Sequence, residues 1–267
     1  MSDSAPFAVL TLSFENNIFQ ELKNSVEFEQ VAKGRVGNHL VLPSDQGIPL
    51  VRTTSQYKIP AQAFTPLHHR IMETMQTSTE ISALNQTPPL FNHALIELYD
   101  RSYHKMNFHS DQCLDLDHDS YIGLFSCYEN PELLNERYTR KLKIKNKTTS
   151  EEFEIPLAHN SLILFSVSTN YQYQHKIVLE PVPNQKPNEQ DNRWLGMTFR
   201  KSKTFIQFKN KLPHFPNDRL LELANEVQKT EFFQLRGQEN SQPDFQYPSL
   251  YYTLSPADLM PPNSSFS

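Results

Sequence analysis

The stretch that decides the fold is IELY at residues 96–99 followed by HSD at residues 109–111, taken together with His175 far downstream. His109 and Asp111 are two positions apart, so both side chains leave one face if the segment is a strand or a strand end. A third side chain from a distant strand completes a three-point site on one side of a metal ion. Three protein ligands leave coordination positions open for other molecules.

Further features accompany these residues in a definite order. Tyr99 precedes the H-x-D pair, a buried-looking strand SLILF occupies residues 161–165, His175 follows, and TFR stands at residues 198–200. Two histidines and one carboxylate are the ligand set of non-haem Fe(II) oxygenases. Over residues 91–208 this order resembles the AlkB-like family of 2-oxoglutarate- and Fe(II)-dependent dioxygenases.

The resemblance implies an α+β fold with a double-stranded β-helix (jelly-roll) core. It implies that His109, Asp111 and His175 bind Fe(II), with 2-oxoglutarate at two of the open positions and O2 at the third. The implied activity is oxidative demethylation of alkylated bases, with methylated DNA or RNA as the partner. The alternative is hydroxylation of a protein side chain or a small-molecule metabolite by the same core, which the net charge of −5 favours.

Two arginines are candidates for the far carboxylate of 2-oxoglutarate, because a planar guanidinium grips a carboxylate with two charge-assisted hydrogen bonds. The family usually presents R-x-N-x-T-F-R. Here Arg200 matches the last position, but residue 194 is Trp and the nearest upstream arginine is Arg193. Seven residues of separation place Arg193 on the opposite strand face unless a bulge at Gly196 intervenes.

The alternative is that Arg200 acts alone, helped by Ser202. Tyr99 resembles the family tyrosine that hydrogen-bonds the co-substrate from the strand before H-x-D. The competing interpretation of Tyr99 is a buried core tyrosine.

The chain divides into three expected parts. Residues 1–88 form an N-terminal extension with a substrate lid, residues 89–210 form the catalytic core, and residues 211–267 form a C-terminal helix and tail. The connector at residues 84–89 contains two prolines and marks the first boundary. The lid would carry Arg52 and Tyr57 as substrate-contacting residues; the alternative is an ordinary solvated hairpin arm.

Local patterns predict several elements. The pattern of residues 36–51 predicts paired strands around the turn PSDQG at residues 43–47, since Pro, Asp and Gly form turns. Residues 66–78 predict a helix, because Pro suits its first turn and apolar residues recur at helical spacing. A second helix is expected over residues 212–236, capped at residues 216–218.

Residues 137–147 form one strongly basic segment, RYTRKLKIKNK. Strand alternation places Lys141, Lys143, Lys145 and Lys147 on one face. One hypothesis is a row of phosphate-binding charges. The other is protection of an exposed sheet edge, favoured by the acidic residues at 151, 152 and 154.

Composition and short motifs disfavour several other classes of protein. Six glycines form neither G-x-G-x-x-G nor a Walker loop, which disfavours dinucleotide and P-loop chemistry. The segment 115–126 lacks the Gly and Glu of a calcium-binding EF-hand loop. Two cysteines without C-x-x-C spacing, and an N-terminus without a signal pattern, indicate a reducing and cytoplasmic setting. No apolar run is long enough for a membrane span.

Overall fold

The computed structural model describes residues 5–77, 90–104, 106–180 and 192–263. The strands in these ranges are β1 (Ala8–Thr11), β2 (Glu29–Ala32), β3 (Arg35–Val41), β4 (Ile48–Pro49), β5 (Gln62–Ala63), β6 (His93–Tyr99), β7 (Tyr121–Tyr128), β8 (Lys141–Asn146), β9 (Glu152–Pro156), β10 (Ser161–Ser166), β11 (Tyr173–Val178), β12 (Trp194–Arg200), β13 (Phe205–Lys209), β14 (Leu212–His214), β15 (Glu222–Leu223) and β16 (Tyr252–Thr253). The helices are α1 (Phe19–Asn24), α2 (Pro66–Thr77), α3 (Val167–Gln172) and α4 (Glu226–Ser241).

The main sheet has the strand order β1-β10-β7-β12-β6-β3-β2, with β5 added in parallel to β3. Its other neighbours are antiparallel. Every residue of β6 is buried, which requires cover on both faces of the sheet. Because side chains alternate along a strand, Ala94, Ile96 and Leu98 face one side and the odd-numbered residues face the other.

Different elements cover the two faces. Helices α1 and α2 pack through Phe19, Leu22 and Ile71 against the face that carries Ile96. The opposite face packs against a smaller antiparallel sheet of order β11-β8-β9. Two facing sheets of this kind form a mixed α/β arrangement with a large antiparallel sheet, consistent with a jelly-roll core.

The N-terminal strands belong to the main sheet. Strand β1 pairs with β10, and β3 pairs with β6 along its whole length. Strands from both sides of the expected boundary at residues 88 and 89 therefore share one sheet. The connector at residues 84–89 lies outside the described residues, and the division into three parts stays a prediction.

The local predictions have mixed outcomes. Helix α2 confirms the helix expected from residue 66, with Leu67, Ile71, Met72 and Met75 buried on one face. The expected pairing within residues 36–51 is wrong, because β3 pairs with β6 and β4 pairs with β13. Only a single bridge joins Ser44 to Gly47 within that turn.

The C-terminal helix begins later than expected. The segment expected to start it forms β14 and β15, and α4 starts only after Asn225. The Asn225 side chain accepts from the amide of Gln228, and the Gln228 side chain accepts from the amide of Asn225, forming a capping box. This reciprocal cap, rather than the proline-containing segment 216–218, fixes the start of the helix.

The basic strand β8 is central in the smaller sheet, so the expectation of an exposed edge is wrong. Its lysines pair with acids instead: Lys141 with Glu154 at 2.6 Å, and Lys143 with Glu180 at 3.0 Å. Lys145 lies 3.7 Å from Glu152. These ion pairs neutralise much of the row. None of the described helices is both long and apolar enough to cross a membrane.

Candidate active site

The three ligand candidates come together. His109 follows β6 and pairs with His175 of β11 through two backbone hydrogen bonds of 3.0 and 2.7 Å. This bridge brings the H-x-D segment against the smaller sheet. One ligand atom from each of His109, Asp111 and His175 lies within 4.8 Å of the others. The structure thus brings His175 to two residues that lie 64 and 66 positions before it in the chain.

Hydrogen bonds fix the ring of His109 and the backbone of Asp111. Nδ1 of His109 donates to the carbonyl of Asn107 at 3.0 Å, which leaves Nε2 with its lone pair free for a metal. Asn170 of α3 accepts from the Asp111 amide and donates to the Asp111 carbonyl, both at 2.8 Å. Nε2 of His175 lies 3.4 Å from Oδ1 of Asp111.

The protonation states suit metal binding. Burial, followed by the neighbouring His175, lowers the pKa of His109 to about 3, so its imidazole is neutral. Burial alone would raise the pKa of Asp111, but Arg200 and His175 together hold it well below its usual value. A neutral imidazole and an ionised carboxylate are the forms that bind a metal.

Side chains of helix α4 hydrogen-bond the ligand segment, residues 109–113. The side chain of Asn240 accepts from the Ser110 amide at 3.0 Å, and Glu239 accepts from the Cys113 amide at 2.7 Å. Arg236 donates to the Ser110 carbonyl. The sequence analysis missed these residues and Asn170. Their partners lie 59 to 130 positions away, and no local motif marks such contacts.

A cavity of about 470 Å³ opens beside the triad. Leu95, Glu97 and Tyr99 of β6 and Thr198 and Arg200 of β12 line one wall. This size falls within the range of small-molecule sites in proteins.

Arg200 stands at the metal end of the cavity. Its Nε donates to Oδ2 of Asp111 at 2.9 Å, and Nη2 lies 2.7 Å from the same oxygen. Its Nη1 is buried without a partner among the described residues. An unpaired buried guanidinium N–H is costly unless an acceptor binds it. The residue therefore fits an anionic group beside the metal, whereas the sequence analysis assigns Arg200 to the far carboxylate of 2-oxoglutarate; that assignment stays a prediction.

Arg193 lies elsewhere. Its Nε donates to Glu129 at 2.7 Å, and it is absent from the cavity wall. The register of β12 with β6 and β7 runs without interruption through Gly196, so the bulge that would redirect the chain is not formed. Ser202 is also occupied elsewhere, since its hydroxyl donates to the Leu50 carbonyl at 2.6 Å. The structure does not bring Arg193 or Ser202 to the cavity.

Tyr99 does line the cavity, and it is fully buried. Its hydroxyl donates to Oε2 of Glu97 at 2.8 Å. The ring is therefore part of the core, as the competing interpretation of Tyr99 has it. Its contact with the co-substrate stays a prediction.

The expected lid residues have other contacts. Arg52 is buried and pairs with Asp115, with Nη2 2.6 Å from Oδ1. It also donates to the Leu250 carbonyl at 2.8 Å, which ties the N-terminal region to the C-terminal tail. Tyr57 is buried and absent from the cavity wall. Three residues between them, Thr53, Thr54 and Ser55, do line the cavity.

A facial set of two histidines and one carboxylate between two facing sheets defines a non-haem iron oxygenase site. The sequence model of the 2OG-Fe(II) oxygenase superfamily matches residues 9–200, and the chain belongs to that superfamily. It is a 2-oxoglutarate-dependent dioxygenase that uses Fe(II), 2-oxoglutarate and O2. The match confirms the oxygenase family expected from the motif order.

Two solved structures are distantly similar. OsALKBH1 has 15% identity and a TM-score of 0.49, with 75% of this chain and 100% of that chain covered. A Pseudomonas putida prolyl-4-hydroxylase has 12% identity and a TM-score of 0.42, with 73% of this chain and 92% of that chain covered. No curated protein sequence matches this chain.

Proposed function

We propose that this dioxygenase removes methyl groups from alkylated nucleic-acid bases. Bound Fe(II), with 2-oxoglutarate and O2, supplies the oxidant for a methyl C–H bond. The products are succinate, CO2 and a hydroxymethyl group, which leaves as formaldehyde and restores the N–H of the base. His109, Asp111 and His175 would hold the metal, and Arg200 would orient the co-substrate beside it.

The observation that carries the proposal is the side chain of Gln112. It follows the ligand candidate Asp111, lines the cavity and is buried, and neither of its amide atoms has a hydrogen-bond partner among the residues that the structure describes. A buried amide lacking both partners is unfavourable until a ligand supplies them. A carboxamide offers one donor and one acceptor group, which is the pairing that reads an adenine edge.

An exposed aromatic residue supports the same substrate class. Phe233 of α4 lines the cavity and is 51% exposed. A half-exposed ring beside a cavity offers a face on which an unstacked base can lie. A base must leave its stack to reach a buried metal, so single-stranded substrates are favoured.

A second candidate function is hydroxylation of a protein side chain or a small metabolite. It is favoured by the acids that pair with Lys141, Lys143 and Lys145, because paired lysines are less available to phosphates. A peptide amide would also satisfy Gln112. The two functions differ in salt dependence, since phosphate contacts weaken steeply as salt rises.

The test measures succinate, formaldehyde and demethylated base with methylated single-stranded oligonucleotides and, separately, with peptides. The wild type should release formaldehyde in step with succinate on at least one methylated oligonucleotide. Gln112→Leu should lose most of that coupled turnover while still binding 2-oxoglutarate. Succinate release stimulated by peptides and by no methylated base would contradict the proposal and favour the second function.

A further inference from the structure

Besides Arg200 and Arg236, the cavity wall carries a third arginine, Arg35, which lies opposite the end of β6 away from Arg200. Arg35 of β3 lines the cavity, and its Nε donates to Oε1 of Glu97 at 2.6 Å. We propose that Arg35 binds the distal carboxylate of 2-oxoglutarate, the role that the sequence pattern offers to Arg193 or Arg200. The proposal rests on the chain's membership of the oxygenase superfamily.

Strand register places the two cavity arginines at opposite ends of β6. Arg200 is opposite His93, and Arg35 is opposite Tyr99. Six residues of strand separate those positions by about 20 Å. The Arg35 guanidinium pairs with Glu97, and the Arg200 guanidinium pairs with the metal-ligand candidate Asp111. Both arginines line the same cavity, so one can meet the carboxylate of 2-oxoglutarate at the metal and the other the carboxylate at the far end.

The other described arginines of the cavity bind partners at or near the metal ligands. Arg200 holds Asp111 at the metal, where the keto-acid end of the co-substrate belongs. Arg236 donates to Glu239 and to the Ser110 carbonyl of the ligand segment. Among the arginines that the structure describes on the cavity wall, Arg35 is therefore the one placed for a carboxylate distant from the metal.

Glu97 fixes Arg35 without using all of its donors. Nε and Nη2 of Arg35 both pair with Oε1 of Glu97. Within the described part of the chain, the hydrogen bond of Nη1 is a long one of 3.4 Å to the Tyr103 hydroxyl. A carboxylate can replace that contact with a shorter charge-assisted hydrogen bond. Glu97 therefore sets the direction of the guanidinium, and Nη1 is the nitrogen left for the ligand.

Charge balance also favours this arrangement. Arg35 with Glu97 and Arg200 with Asp111 are two neutral pairs in the cavity wall. A bound Fe(II) adds two positive charges, and the dianion of 2-oxoglutarate removes them. The filled cavity would then carry no net charge from these groups, as low-dielectric surroundings require.

The experiment compares two keto acids that differ at the distal end. Anaerobic Fe(II)-loaded protein is titrated by calorimetry with 2-oxoglutarate and with 2-oxobutyrate, which lacks the second carboxylate. The wild type should bind 2-oxoglutarate roughly 10- to 100-fold more tightly. Arg35→Met should lose that preference and keep its affinity for 2-oxobutyrate. Arg193→Met is the matched control and should behave as the wild type does.

Removal of Arg35 alone leaves the Glu97 carboxylate without its partner, so Arg35→Met/Glu97→Gln is measured as well. The same loss of preference is expected in this double variant. A retained preference in either variant would overturn the proposal, as would equal binding of both keto acids by the wild type. Equal weakening of both keto acids in both variants would also overturn it, because Arg35 would then support the whole site.

Discussion

Arg200 and Asp111 form a buried ion pair inside the candidate metal site. Both Nε and Nη2 of Arg200 contact Oδ2 of Asp111, at 2.9 and 2.7 Å. Oδ1 of the same carboxylate faces Nε2 of His175 at 3.4 Å. The two oxygens of Asp111 thus have different neighbours, one the arginine and the other the histidine ligand. We expect Oδ1 to be the oxygen that binds the metal.

Arg200→Met should weaken the binding of both keto acids in the titration described above. Arg200 lies at the metal end, so its unpaired Nη1 is placed for the part of the ligand that the two keto acids share. We expect an affinity loss of about tenfold or more for each. A loss confined to 2-oxoglutarate would contradict this placement and would assign the distal carboxylate to Arg200.

Metal should stabilise the folded protein. At a free concentration of 100 times the dissociation constant, a ligand that binds only the folded state adds about 2.7 kcal/mol. Mn(II) should therefore raise the Tm of the wild type, and a chelator should reverse the increase. Asp111→Ala and His175→Ala should show no such increase.

His104→Ala is the control for that measurement. His104 is exposed and hydrogen-bonds the Ser102 carbonyl, outside the triad. It should keep the full rise in Tm with Mn(II). A rise that survives in Asp111→Ala would show that the metal binds elsewhere.

Glu239→Ala should destabilise both the fold and the metal site. Glu239 is 1% exposed and accepts hydrogen bonds from the Cys113 amide and the Tyr247 hydroxyl. The substitution leaves these buried donors unpaired, at a cost of about 2–4 kcal/mol in the free energy of unfolding. It should also weaken Mn(II) binding, because Cys113 lies two residues from Asp111. Urea denaturation and metal titration measure the two effects.

Glu226→Ala tests whether the effect belongs to Glu239 or to the helix. Glu226 lies in the first turn of the same helix, and its side chain is 88% exposed in a pair with Lys229. Such a pair contributes roughly 0–1 kcal/mol. Metal affinity in Glu226→Ala should equal that of the wild type. Equal losses in the two variants would contradict a specific role for Glu239.

The triad was predictable because the order of the motifs around it resembles that of a known family. His109 and Asp111 share one short motif, and His175 follows a recognisable apolar strand far downstream. The strands around them were also predictable from apolar runs, as β6, β7 and β10 show. These patterns depend on residues within a few positions of one another, which is the range over which strand periodicity operates.

Other parts of the site could not be predicted, because their partners are distant in the chain. Arg35 meets Glu97 across 62 positions, and Asn240 meets Ser110 across 130. Arg52 lies in a segment with the composition of an exposed arm, yet its charge is buried on Asp115. Such pairs become visible only when the sheet order is known.

Asp258 should make the protein less stable as pH rises. Burial raises the pKa of Asp258 to about 7, and Arg52 lowers it less than burial raises it. The folded state therefore favours the protonated carboxyl, and the unfolded state ionises near pH 4. Ionising the buried group costs stability progressively between about pH 4 and pH 7, and the full penalty persists above pH 7.

Asp258→Asn should remove that penalty. The amide oxygen can still accept from the Thr253 hydroxyl, the present partner of Asp258. We expect the variant to exceed the wild type by about 1–3 kcal/mol at pH 8 and to match it near pH 4. Urea denaturation at both pH values checks this. A stability difference that does not change with pH would mean that Asp258 is ionised in the folded state throughout.

Gly196→Ala should disturb the part of the cavity wall where Trp194 packs against Tyr99. A Cβ atom at residue 196 would overlap the indole ring of Trp194, which lies over the glycine. The ring is 1% exposed and 4.8 Å from the Tyr99 ring, so it has little room to move. Overpacking of this kind costs about 1–3 kcal/mol.

Two measurements separate this effect from a general change in stability. Trp194 is the single tryptophan of the chain, so its fluorescence reports on this wall directly. The emission should shift in Gly196→Ala. Gly237→Ala is the matched control, because a Cβ at that position in α4 meets no neighbour within 4 Å. It should gain about 0.5–1 kcal/mol from helix propensity and leave the emission unchanged. An unshifted spectrum in Gly196→Ala, with stability equal to the wild type, would mean that the indole does not cover the glycine.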